Sequence, residues 1–353
     1  MNKDEIIKKL KALPYSPEEY WLLSETANVM HGVRKAAGII SLGCTKEMAD
    51  ALEAAGYLSK LNKPGTQSRL FDIDKVIYVW EWLLPGEFHW MDGFQVLDPA
   101  GVEQAERNRL KHLYPDPDKV KEHVTEHYVF RYQEDSRAEQ DIQLIAETQE
   151  RCFSVLSDLL KVQPDFMIYY YLVNTKDVLQ QFRNDKAPGA GCYFRPNMIY
   201  TVYSDEGRFI GFHEDTHLFC DLIGNPDSDA VSEGIAQCMS RMWAGADNIG
   251  WTVWFLKKGM FLNTDELLVN DIFYAHSDFI TYPIMGAFTD WLLQSYKNEK
   301  FIEFYKYKDS AEGMRKVYGK EPRELNQMFL EVLKPLSLKE GAEEKLDENL
   351  QPA

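Results

Sequence analysis

Residues 211–221 read GFHEDTHLFCD and set the organisation of the carboxyl-terminal half of the chain. The stretch holds His213, Glu214 and His217 in the pattern H-E-x-x-H. On a helix, residues four positions apart lie on one face about one turn apart, so both imidazoles converge on one point and the glutamate lies beside them. Two histidines spaced in this way, with the adjacent glutamate as general base, indicate a Zn²⁺ site.

The flanking residues predict two consecutive helices. Phe212 and Phe219 belong to an apolar face of the first helix, and GNP (224–226) ends it. A second helix begins near Ala230 and carries Glu233, which is 16 positions after His217. That separation accommodates a helix end, a turn and an antiparallel return, so Glu233 is the predicted third ligand. Three protein ligands leave the fourth zinc position open, as in catalytic sites.

HEDTH (213–217) followed by SEGIAQ (232–237) resembles the gluzincin metallopeptidases, the thermolysin-like and aminopeptidase-like group. HSDFITYPIMGAFTDWLLQSYKNEKFIEFYK (276–306) is similar to the helices that follow the site in that group, and the resemblance spans about residues 150–335. It implies that His213, His217 and Glu233 bind zinc. Two departures stand out: no GxMxN strand precedes the helix, so an aminopeptidase is not supported. Moreover, Gln237 occupies the position of an aspartate that orients a ligand histidine.

The resemblance implies hydrolysis of peptide bonds, with Glu214 taking a proton from water and passing it to the leaving amine. A donor for the developing oxyanion is also needed, and Tyr282, His276 and Tyr274 are candidates among which the sequence does not decide. The extended stretch 193–203 is a candidate edge strand for an extended peptide substrate. The alternative function is a catalytically inactive, metal-binding pseudo-peptidase that serves as a ligand- or partner-binding scaffold.

The stretch YWLLSETANVMHGVRKAAGIISLGCTKEMADALEAAGY (20–57) resembles the first half of a small nucleotidyltransferase fold. HGVR (31–34) matches the h-G-x-R end of its first helix. Ser-Glu (24–25) replaces the glycine turn, however, and Gly38 and Ile40 occupy the D-x-D positions. Because phosphoryl transfer needs carboxylates that hold Mg²⁺, the resemblance implies a catalytically inactive unit that recognises substrate or regulates the peptidase.

Two alternatives remain open in the amino-terminal region. Asp72 and Asp74 (FDID, 71–74) are displaced metal ligands or, as their position favours, the polar entrance of a strand. The first 60 residues are also compatible with a winged helix, although the acidity of the chain argues against nucleic-acid binding.

Composition limits the partners and the compartment. The chain has 353 residues, 45% hydrophobic and 27% charged, and a formal net charge of −17, which disfavours nucleic acid and anionic membranes. No secretory signal and no run of ~18 apolar residues occurs, and five cysteines without a CxxC pair fit a reducing compartment. We therefore expect a cytoplasmic protein with a peptide or protein substrate. The oligomeric state is left open.

The predicted fold class is α+β with two domains. Residues 1–146 are expected to form an α/β, nucleotidyltransferase-like domain, in which the polar segment 103–146 is helical. Residues 147–340 are expected to form a mostly helical gluzincin domain with a small mixed sheet. Residues 341–353 are expected to be a polar tail.

Overall fold

The computed structural model describes residues 1–57, 60–61, 69–81, 87–184, 189–338 and 342–349. Its architecture is mixed, with many helices and several sheets. The chain divides into two compact units, one of Met1–Ala146 with Asp165–Phe209 and the other of Glu147–Pro164 with Ile210–Ala353. The sequence predicted two domains that follow one another along the chain. The two units instead consist of two segments each, because the chain returns to the first unit and adds strands to it.

The first unit contains a seven-stranded sheet with both parallel and antiparallel neighbours. Its strands are β1 (Tyr20–Leu22), β2 (Ile40–Cys44), β3 (Lys60–Leu61), β4 (Arg69–Ile73), β5 (Ile77–Glu81), β6 (Phe88–Met91) and β7 (Phe94–Leu97). They lie in the order β3-β4-β5-β2-β1-β7-β6. Every residue of the central strand β2 is buried, as a strand flanked on both sides within an apolar core requires.

Four helices precede or follow these strands: α1 (Lys3–Lys11), α2 (Ser24–Met30), α3 (Lys46–Ala54) and α4 (Pro99–Leu113). In α3 the Thr45 side chain accepts a hydrogen bond from Met48 N, and Gly56 follows the helix with φ +88°. Glycine adopts this left-handed conformation without a Cβ penalty, so Gly56 suits the position just after the helix end. Ile6 and Leu52 are fully buried members of the apolar core that includes the sheet.

Asp72 and Asp74 lie at the β4–β5 hairpin. Asp74 and Lys75 have φ of +56° and +57°, as a tight primed hairpin turn needs, and Asp72 Oδ1 accepts a hydrogen bond of 2.7 Å from Lys75 N. Asp74 is therefore a turn residue, whereas Asp72 belongs to β4 and supports the turn through its side chain, which fits the polar interpretation that the sequence favoured.

A five-stranded sheet also belongs to the first unit. Its strands are β8 (Val120–Val124), β9 (Tyr128–Gln133), β10 (Ile168–Val173), β11 (Gly191–Phe194) and β12 (Met198–Val202). Their order is β11-β12-β10-β9-β8, with a parallel centre and antiparallel outer strands. The helices near this sheet in the chain are α5 (Arg137–Gln140), α6 (Ile142–Leu160) and α7 (Lys176–Arg183).

This sheet corrects two expectations. The segment 103–146 is not all helical, since β8 and β9 lie in it. Its strand signal is obscured by charged residues such as Arg131, which forms an ion pair with Glu106 of α4. The stretch 193–203 is not one edge strand, because it contains parts of two strands, of which β11 lies at an edge of the sheet and β12 is internal to it.

The second unit is mostly helical, as predicted. Its elements after α6 are α8 (Phe212–Asp221), α9 (Asp229–Ser240), β13 (Met242–Trp243), β14 (Ala246–Asp247), α10 (Asn248–Lys258), α11 (Thr264–Leu267), α12 (Asn270–Ala275), α13 (Asp278–Tyr296), α14 (Asn298–Tyr305), α15 (Ser310–Tyr318), α16 (Pro322–Leu333) and α17 (Ala342–Asn349). Among the described residues, the sheet of this unit is the two-stranded β13–β14 hairpin. The five-stranded mixed sheet, part of which lies after residue 147, belongs to the first unit.

Two glycines allow α9 and α13 to pack closely. A Cβ atom on Gly234 of α9 would lie 2.7 Å from Thr289 Oγ1 and 3.1 Å from Met285 O, both on α13. A Cβ atom on Gly286 of α13 would lie 2.9 Å from Gln237 Cγ on α9. Larger side chains at these positions would push the two helices apart. The close approach brings α13 beside the helix that carries Glu233.

The predicted polar tail is wrong for its described part. Residues 342–349 form α17, whose Leu346 is only 2% exposed. Lys258 of α10 lies 3.2 Å from both Glu343 and Asp347 of this helix. The buried Leu346 and the ion pairs of Glu343 and Asp347 thus attach α17 to the rest of the unit, although its composition is otherwise polar. Residues 341 and 350–353 of the predicted tail lie outside the described residues.

In the part of the chain that the structure describes, none of the helices combines sufficient length with sufficient apolarity to span a bilayer.

Candidate metal centre

The three predicted ligands come together between α8 and α9. Glu233 Oε2 lies 3.3 Å from His213 Nε2 and 3.5 Å from His217 Nε2. One ligand atom from each residue lies within 4.8 Å of the others. Across the described residues, no other group of three or more His, Cys, Asp or Glu side chains was found that converges in this way. The helical spacing of the histidines and the antiparallel return of α9 therefore produce the cluster that the sequence predicted.

The cluster is enclosed on one side and open on the other. The His217 side chain is 8% exposed, whereas that of His213 is 28% exposed and that of Glu233 19%. Burial by itself raises the pKa of Glu233, but the neighbouring charges of His217 and His213 outweigh it and hold that pKa far below its usual value. Burial lowers the pKa of His217, while the Glu233 carboxylate and then the Glu214 charge raise it, to about 9. The site is thus a place where negative charge attracts a cation.

The residues fit a divalent ion. Glu233 Oε2 is a buried oxygen with no hydrogen-bond partner among the described residues, and it faces two imidazole Nε2 atoms. A buried acceptor without a donor is costly unless a cation or water satisfies it. Two imidazoles and one carboxylate form a donor set that suits a divalent transition-metal ion such as zinc. His213, His217 and Glu233 can therefore hold a metal ion.

Glu214 lies beside the cluster on the same helix. It is half-buried, and its negative charge raises the pKa values of both His217 and Tyr282. The carboxylate is therefore close enough to act electrostatically on the cluster and on the aromatic side chain next to it.

A buried glutamine fixes the start of α8. Gln149 of α6 is fully buried, its Oε1 accepts from Gly211 N at 2.9 Å, and its Nε2 donates to Gly211 O at 3.2 Å. The same Nε2 donates to Asp215 Oδ2 at 2.7 Å. Gly211, the residue before α8, has φ +121°, a conformation that favours glycine. The helix that carries both histidines is thus anchored to α6 through its first turn.

Of the three oxyanion-donor candidates, the structure brings Tyr282 closest to the cluster. Its ring stacks on His213 at 6.3 Å between centroids and also contacts Trp243 at 5.3 Å. Tyr274 is 64% exposed and donates its hydroxyl to Asp229 Oδ2 at 2.9 Å, while His276 is exposed after the end of α12. Tyr282 therefore borders the site, and the other two are placed differently.

Three further residues of the second unit are buried and are not part of the ligand cluster. Cys220 and Cys238 are buried, and burial raises the pKa of each thiol, which is the behaviour of small apolar side chains rather than of ligands. Gln237 is fully buried, and its side-chain amide donates to Met242 O and to Asn248 Oδ1.

The sequence did not single out the groups that contact the outer nitrogens of the histidines. Ser232 Oγ lies 3.2 Å from His217 Nδ1, and Ser240 Oγ lies 3.4 Å from His213 Nδ1. A signal was present: Ser240 is seven residues after Glu233, so helical periodicity places it on the same face of α9. Gln149 gave no comparable signal, because it lies in a distant helix.

In the first unit, Arg34 of the stretch HGVR (31–34) is engaged in an internal network. It forms an ion pair with Glu25 and donates to Tyr169 Oη at 2.8 Å, and the Tyr169 hydroxyl also bonds Glu25. Burial raises the pKa of Glu25 against the opposing effect of Arg34. These residues join α2 to the five-stranded sheet within the unit, which is a structural role.

No protein-family model matches the chain, and no curated protein is significantly similar to it.

Proposed function

We propose that the protein is a zinc-dependent peptidase of the gluzincin type. The observation that supports this most strongly is the convergence of His213, His217 and Glu233 from two consecutive helices. Glu233 Oε2, buried and lacking a hydrogen-bond donor, supports a cation at the centre of the three. Three protein ligands, with access from the more exposed His213, leave a position for water or substrate.

Glu214 is the proposed general base. It directly follows the proposed ligand His213 in α8, and its charge acts on the cluster. Both features support a role as base toward a water molecule beside the ligands. Zinc, when bound, supplies Lewis acidity that lowers the pKa of water toward ~7 and polarises a carbonyl. Glu214 takes a proton from the attacking water and returns it to the leaving amine, so the carboxylate is regenerated at the end of each turnover.

Tyr282 is the proposed donor to the developing oxyanion. Burial, and then the negative charge of Glu233, raise its pKa well above the usual value. The hydroxyl therefore keeps its proton at neutral pH and remains a hydrogen-bond donor. The ring stack on His213 and the contact with Trp243 hold the side chain beside the ligands. A preorganised donor of this kind contributes to catalysis because it needs no reorientation as charge develops.

The first unit is proposed to recognise the substrate or to regulate the peptidase, as a catalytically inactive, nucleotidyltransferase-like module. Support comes from Asp72 and Asp74, which serve a hairpin turn, and from Arg34, which is held by Glu25. The net charge of −17 supports a peptide or protein partner over nucleic acid, in a cytoplasmic setting.

The test is metal analysis combined with digestion of a peptide library. We expect about one zinc ion per chain in the purified protein and chelator-sensitive cleavage of peptides. Glu214→Gln is expected to retain zinc and lose at least ~100-fold of the activity, in line with the contribution of a general base. Glu233→Ala is expected to lose zinc as well, because it removes a ligand.

Glu299→Gln is the matched control, since Glu299 is an exposed residue of α14 and the substitution removes the same charge. It should change neither zinc content nor cleavage. Absence of zinc and of other divalent ions from the wild-type protein contradicts the metal site. Zinc without any cleavage by the wild-type protein contradicts the peptidase and favours the binding scaffold instead.

A further inference from the structure

We propose that Ser232 and Ser240 are positioning residues that present the Nε2 atoms of His217 and His213 to the metal ion. This inference rests on the metal site of the proposed function. Both serines lie on α9, and their hydroxyl oxygens are 3.2 Å from His217 Nδ1 and 3.4 Å from His213 Nδ1. A histidine that binds a metal through Nε2 carries its proton on Nδ1, and an acceptor at Nδ1 fixes both the tautomer and the ring orientation.

The direction of the hydrogen bond at Ser240 follows from its second contact. The Ser240 hydroxyl donates to Ala236 O at 2.9 Å, one turn earlier in α9. A hydroxyl has a single proton, so the oxygen is left to accept from His213 Nδ1–H. His213 is the more exposed histidine, and this bond holds its ring in the plane that directs Nε2 toward Glu233 Oε2, 3.3 Å away.

At Ser232 the hydroxyl receives a bond from a buried tyrosine. Tyr305 of α14 is 3% exposed, and its hydroxyl donates to Ser232 Oγ at 3.4 Å. The oxygen has two lone pairs, so it can also accept from His217 Nδ1–H. Ser232 therefore joins a buried tyrosine to a buried histidine, and it directly precedes the ligand Glu233, so one turn of α9 supplies a ligand and an orienting group.

The neutral charge of the two serines has a consequence for the ion. The position four residues after Glu233 holds Gln237, which is turned to Met242 and Asn248 instead. Serine hydroxyls, and not a carboxylate from position 237, thus lie at the two imidazole Nδ1 atoms. Glu233 is then the single anionic ligand for a doubly charged ion, and a hydroxyl acceptor makes an imidazole a weaker ligand than a carboxylate acceptor does.

The test measures zinc affinity by competition with a chromophoric chelator on the full-length protein. Replacing Ser240 by Thr and by Val gives side chains of almost the same shape, of which only threonine has the hydroxyl. Zinc affinity is expected to fall about 10-fold in Ser240→Val and to stay near the wild-type value in Ser240→Thr. Ser232→Ala is expected to weaken zinc by a similar factor. In the cobalt-substituted protein, the visible d–d bands should shift in Ser240→Val and not in Ser240→Thr.

Ser228→Ala is the control, because Ser228 directly precedes α9, is 1% exposed and has a hydroxyl without a hydrogen-bond partner among the described residues. It should leave zinc affinity unchanged. If the wild-type protein binds no zinc, the metal site itself is wrong. If wild type binds zinc and Ser240→Val and Ser232→Ala bind it within twofold as tightly, the metal site stands and the role of the serines is wrong.

Discussion

The buried amide of Gln149 offers the sharpest test of how the ligand helix is held. Gln149→Leu keeps a similar side-chain volume, so it leaves little cavity, but it removes two hydrogen bonds to the peptide groups of Gly211 and one to Asp215. Each bond to a peptide group contributes about 1 kcal/mol and the bond to a carboxylate about 1.5 to 3 kcal/mol. We therefore expect the opening free energy of α8 to fall by about 3.5 to 5 kcal/mol.

Hydrogen exchange of the amides of α8, followed by mass spectrometry, measures this quantity directly, because protection reports the free energy of local opening. At about 1.4 kcal/mol per factor of ten, protection should fall by about 300-fold or more. Gln143→Leu is the matched control, since Gln143 is an exposed residue of the same helix α6. Equal protection of α8 in the two variants would refute the anchoring role of Gln149.

Two further predictions concern packing and pH. Leu346→Ala should release α17, because Leu346 is buried. The free energy that holds the helix in place should fall by about 2 kcal/mol or more. Limited proteolysis should then cut near residue 342 sooner than in wild type. In the first unit, hydrogen bonds from Arg69 lower the pKa values of Asp50 and Glu81. These contacts therefore stabilise the folded state above about pH 4.5. The stabilisation is lost as the pH falls through the lowered pKa values of the two carboxylates. Acid titration of Arg69→Met should show a shallower loss of structure than wild type, and an unchanged slope would contradict this.

The candidate site was largely predictable because its main elements are local in sequence. His213 and His217 are one helical turn apart, so any helix over these residues brings them together. Glu233 required one further assumption, an antiparallel return of α9, which the turn at 224–226 indicated. Tyr282 was one of three candidates, and only the close packing of α9 on α13 distinguishes it.

The predictions that failed depended on distant partners. Strands β8 and β9 contain charged residues that look solvent-exposed in sequence, yet Arg131 is paired with Glu106 of α4. Helix α17 has the composition of a tail, and its order comes from Leu346 and from Lys258 of α10.

The amino-acid sequence by itself determined the periodicities: which segments are helices or buried strands, which side chains share a face, and that HEDTH presents two imidazoles together. Only the tertiary structure decided which segments share a sheet, how Gln149 fixes the start of α8, and which hydroxyls face the histidine Nδ1 atoms. The physical reason is the separation along the chain of the residues that interact. Helical and strand periodicity arise from contacts within a few residues, whereas hydrogen bonds between elements and pKa shifts depend on groups that are far apart in the chain and are brought together by folding.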